Sequence, residues 1–100
     1  MAIPSVKLTV AALSAEACEV FGGRYLARFE PSQSSAALLV VESPIALWKL
    51  FSDYGVQVDW TPIEHELTNK GAAMQVIDLP DSMSLANLMG GVHAFCTGES

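Results

Sequence analysis

The chain has 100 residues, of which 51% are hydrophobic and 16% charged, and five Lys and Arg stand against eleven Asp and Glu for a net charge of -6. This composition excludes a disordered chain, and a surplus of acid without basic runs excludes direct nucleic-acid binding, which needs cationic surface to displace counterions. One core is expected, in a single domain over residues 1–100, and the low charged share leaves apolar surface for a subunit interface or a ligand groove.

No stretch approaches the roughly 20 apolar residues of a membrane span. The segment from Met1 to Ala15 contains Pro4, a late positive charge and a short apolar centre, so it reads as a first strand and not as a signal peptide. Cys18 and Cys96 lie far apart without further cysteines, the pattern of two reduced thiols, and a cytoplasmic location is expected.

In chain order, Val6 to Val10 alternates apolar and polar residues, a strand with one buried face. Ser14 offers a cap to a short helix from Ala15 to Phe21, which Gly22 and Gly23 end. Tyr25, Ala27 and Phe29 again fall at strand spacing until Pro31 opens a turn containing Ser32, Ser34 and Ser35. Ala36 to Val41 is continuously apolar, as a mid-sheet strand would be. Ser43 and Pro44 then start a helix to Tyr54, with Leu47, Leu50, Phe51 and Tyr54 on one stripe and Gly55 as its left-handed stop.

Val56, Val58 and Trp60 alternate with Gln57 and Asp59 in a further expected strand that Thr61 and Pro62 close. Ile63 to Leu67 fits a strand or a helical turn equally, because both periods suit five residues. Ala72 to Leu79 reads as a strand, Ser82 or Ser84 as the cap of a short helix ending at Gly90 and Gly91, and Val92 to Cys96 as a last edge strand. The expected fold is α+β: a mixed or antiparallel sheet of about four to six strands with two or three helices mainly on one face. The order β, α, β, β, α, β suggests a ferredoxin-like layer.

Ser43 to Trp60 with Ala73 to Pro80 resembles one half of a vicinal-oxygen-chelate, glyoxalase-like protein, through a helix, Gly55, Val56-Gln57-Val58 and Val76-Ile77-Asp78. The first strand holds no histidine where that family's metal would want one, and no family is assigned.

Candidate chemistry is sparse. Asp59, Glu64, His65 and Glu66 form the densest ionisable cluster, but neither a strand nor a helix turns neighbouring side chains to one side, so a solvated pair and a half-buried histidine are expected. His93 is isolated in sequence, and no HxH, HExxH or CxxC pattern occurs, so neither metal nor cofactor is predicted. Cys18 sits between Glu16 and Glu19, which disfavour a thiolate, and Cys96 reads as an inert thiol; no GxSxG, GxGxxG or P-loop is present.

What exceeds the needs of one sheet contact is Ile45 and Trp48, which lie to the side of the helix stripe. Ile45, Trp48, Trp60 and His65 are therefore the candidate ligand or interface residues. The leading expectation is a non-enzymatic interaction module that self-associates, a dimer first, through a sheet edge or the Ile45 and Trp48 side of the helix. The alternatives are a small-molecule site or small enzyme with a cleft between sheet and helices, and an acidic inhibitor of a basic protein.

Overall fold

Strand β1 (Ser5–Ala12) organises the architecture, since it pairs antiparallel with β2 (Tyr25–Pro31) on one side and with β4 (Ala72–Asp78) on the other. β2 in turn pairs antiparallel with β3 (Ala37–Val41), giving the sheet order β3-β2-β1-β4. The structure is a computed structural model that describes residues 3–32 and 35–97, with residues 94–97 described as backbone only. Four helices complete it: α1 (Ala15–Phe21), α2 (Pro44–Asp53), α3 (Thr61–Lys70) and α4 (Ser82–Thr97).

The period-two alternation decides which sheet face is covered. Val6, Leu8 and Val10 are buried and stand opposite Pro31, Phe29 and Ala27, with Ala37, Leu39, Val41, Ala73 and Ile77 completing the same face. Onto it pack Leu47, Leu50 and Phe51 from α2, Ile63 from α3, and Leu85, Leu88, Met89 and Val92 from α4, in one continuous core. The molecule is thus a compact α+β domain, as the pattern led us to expect. Among the described residues no helix is long and apolar enough to cross a membrane.

Several local expectations are corrected. A split βαβ unit would run β2 parallel to β1 with another strand between them, whereas β2 lies directly beside β1 and antiparallel to it. The reason is α1: seven residues of helix reach only about 10 Å, well short of the length of β1. It bridges one end of a hairpin whose ladder continues outward through the Leu13 N–H to the Arg24 carbonyl. β3 is an edge strand and not central, and residues 56–60 belong to no ladder although their burial alternates.

Ile63 to Leu67 resolves as helix, because Pro62 falls in the first turn, where its missing N–H is no loss. Val92 to Cys96 is helical too. Gly90 and Gly91 do not end α4, since neither takes a left-handed conformation. A Cβ at Gly91 would collide with the Tyr54 ring, so this glycine lets α4 approach the end of α2. The cap of α4 is Asp81, not a serine: its Oδ1 accepts from the Ser84 N–H at 2.7 Å. Ser34 and the Cys96 side chain lie outside what the structure describes.

Two tests follow from this geometry. A Cβ at Gly23 would strike Val40 Cγ1 and lie 3.1 Å from the Val41 carbonyl oxygen, whereas Gly90 faces open space. In chemical denaturation Gly23→Ala should lose about 1–3 kcal/mol by overpacking, and Gly90→Ala should gain about 0.5–1 kcal/mol by helix propensity. Asp81 is held below its ordinary value of 3.8, first by the Ser84 backbone N–H. A depressed carboxyl pKa contributes stability that is present above the unfolded value and lost as pH falls through the folded one. The melting-temperature advantage of wild type over Asp81→Asn should therefore hold at neutral pH and shrink as pH falls below 3.8; an advantage independent of pH would contradict the assignment.

Candidate functional site

The site begins with the cap of α2. Ser43 Oγ accepts from the Ile45 N–H at 3.2 Å and Pro44 occupies the first turn, which fixes the rotation of the helix. Leu47, Leu50 and Phe51 then face the core, and Ile45 and Trp48, three residues apart on an adjoining strip, remain 63% and 51% exposed.

Gly55, at φ 73°, turns the chain out of α2, and residues 56–60 run back across the core with Val56 and Trp60 buried and Val58 half-buried. Asp59 Oδ1 accepts from the Thr61 N–H at 3.1 Å and starts α3. This sets Trp60 against Phe51, edge to face at 5.8 Å and 65° between ring planes, while Phe51 stacks on Phe29 at 5.9 Å. Trp60 is 9% exposed, and its Nε1–H is buried without a hydrogen-bond partner among the described residues. A buried donor left unpaired costs about 1–3 kcal/mol.

Between α2 and α3 these elements leave a groove of about 330 Å³ lined by Pro44, Ile45, Trp48, Val58, Trp60, Thr61 and Glu64. A second lobe of about 310 Å³ shares Pro44, Ile45 and Glu64 and extends past Ser43 to Tyr25, Leu67 and Thr68. Apolar side chains from Pro44 to Trp60 line it together with the hydroxyls of Ser43, Tyr25, Thr61 and Thr68, and among the described residues Glu64 is the sole charged side chain lining either lobe.

Trp60 is thereby brought to Ile45 and Trp48, which the sequence already places on one side of α2. His65 is not with them. It lies on an exposed face of α3, with Nε2 2.9 Å from Asn69 Nδ2. The helix likewise disperses the acidic cluster: Asp59 lies ahead of α3 and accepts from the Thr61 N–H, Glu64 lines the groove and Glu66 is half-buried elsewhere. Among the described residues no three His, Cys, Asp or Glu are grouped to hold a metal ion. His93 is exposed on α4, and the free Cys18 thiol is 3.8 Å from the Leu13 carbonyl oxygen.

Glu64 was missed as a groove residue. A helical reading of residues 61–70 would have found it, because Glu64 is one turn after Trp60 and so shares its side of α3. Comparison with protein families, with characterised proteins and with solved structures found no significant match.

Proposed function

We propose that this domain is a binding module whose α2–α3 groove holds a short basic peptide segment of a protein partner. The observation that carries the reading is a groove lined by Trp48, Trp60 and, as its single charged side chain among the described residues, Glu64, with the Nε1–H of Trp60 buried and unpaired among the described residues. A peptide carbonyl is the acceptor that such a donor lacks, and an Arg or Lys side chain is the complement of Glu64. An arginine plane can also stack on the half-exposed Trp48 indole, which adds a cation–π contribution.

Length favours a segment over a compact metabolite. The two lobes share Pro44, Ile45 and Glu64 in their linings and so lie side by side, as the successive side chains of a segment would require. The net charge of -6 would speed the encounter with a basic partner. The reading is of binding and not of catalysis, because the titratable groups diverge: Glu64 lines the groove while Asp59 accepts from the Thr61 N–H and His65 turns to Asn69. A cytoplasmic setting goes with the free thiol of Cys18.

The test uses the protein's own fluorescence, since Trp48 and Trp60 are its two tryptophans and both line the groove. A capped arginine tripeptide should change their emission saturably, and the citrulline counterpart, neutral but of nearly the same shape, should bind several-fold more weakly. Trp60→Phe, read through Trp48, should weaken the arginine peptide about tenfold, the value of one hydrogen bond of about 1.4 kcal/mol. Glu64→Gln should erase the preference for arginine. Emission unmoved by either peptide, or equal binding of both by wild type, would overturn the proposal.

A further inference from the structure

The face of the sheet turned away from α2, α3 and α4 carries Lys7, Thr9 and Ala11 on β1, Leu26, Arg28 and Glu30 on β2, Leu38 and Val40 on β3, and Met74, Val76 and Asp78 on β4. None of these side chains is fully buried, and Leu38, Met74 and Val76 are 56%, 55% and 55% exposed. Its apolar residues stand at both margins and along one end. Charge on it balances, Lys7 and Arg28 against Glu30 and Asp78, in a chain whose net charge is -6. Where a surface that meets a copy of itself carries charge, balanced signs let it be self-complementary, because an isologous contact sets each patch against its own image.

The register shows how the two copies fit. Cross-strand rows run Met74, Thr9, Arg28, Leu38 and, beside it, Ala72, Ala11, Leu26, Val40, with Lys7 and Glu30 paired in the next row. A two-fold axis along the strands, between β1 and β2, lays β2 of one copy over β1 of the other at the same level. Glu30 then meets Lys7, Arg28 meets Thr9, Leu26 meets Ala11 and Leu38 meets Met74, each twice, with no like charges opposed. Aligned sheets pack in this way at about 10 Å separation. Four strands of about seven residues present a face of about 20 by 25 Å, so two copies cover on the order of 1,000 Å², the lower bound for a specific interface.

We infer that the open sheet face is the contact surface of a homodimer, in which β2 of each copy lies over β1 of the other. The interface is separate from the α2–α3 groove and leaves it accessible.

Molar mass by light scattering across a dilution series tests this. Wild type should reach twice 10.7 kDa. Lys7→Glu, which opposes two pairs of like charges, should weaken the dimer about tenfold. Lys7→Glu combined with Glu30→Lys should restore it, and Trp48→Asp should leave it intact. Should Lys7→Glu fail to fold by circular dichroism, Met74→Glu at an exposed position should separate the copies instead. A wild type that stays monomeric at every concentration overturns the inference, as does a dimer insensitive to both Lys7→Glu and Met74→Glu or one that Trp48→Asp dissolves.

Discussion

The edge-to-face contact of Trp60 on Phe51, continued by the stacking of Phe51 on Phe29, joins the sheet to α2 and α2 to the start of α3. Three segments distant in sequence meet along that line. Each aromatic pair adds about 0.5–1.5 kcal/mol beyond the area that the rings bury. With it in place, Val56 and Ile63 on either side of Trp60 also reach the core. Without it, residues 56–60, which belong to no ladder, would have little to hold them to the core.

The same contact leaves a cost behind. Burying Trp60 strands its Nε1–H, at about 1–3 kcal/mol, against about 3–5 kcal/mol for truncating a buried tryptophan to alanine. Apolar burial wins, so the arrangement is stable with the donor unmet. An acceptor brought by the proposed partner would recover what folding gave up, which is why the binding function is proposed here and not at Cys18 or His93. On this account the groove and the open sheet face are independent surfaces, one serving a partner and one a second copy.

Much of the fold was legible because its signals were local. Ser14 and Ser43 cap α1 and α2 as their side chains imply, and Gly22 and Gly55 take the left-handed stops. The strand face of Val6, Leu8 and Val10 was plain from alternation. What failed depended on partners that periodicity does not contain. Alternation through Val56, Val58 and Trp60 reflects real alternation of burial, yet among the described residues no strand pairs with it to make it sheet. Ala36 to Val41 looked central because both faces are apolar; in the fold one face is core and the other is the open surface that carries Leu38 and Val40. Gly90 and Gly91 were misread as a stop because the need for a close approach to Tyr54 is a tertiary fact. At the groove, Ile45 and Trp48 stood out as surplus to the helix stripe, whereas Glu64 depended on knowing that residues 61–70 are helical.

The central claim is that the Trp60 indole N–H is buried and unmatched in the free domain, and nitrogen-15 NMR observes it directly. Trp48 and Trp60 give the two indole N–H signals of the chain. One of them, assigned through Trp60→Phe, should exchange slowly with solvent and resonate upfield of a hydrogen-bonded indole. Exchange as fast as that of the half-exposed Trp48, or the downfield position of a donor already engaged, would contradict it.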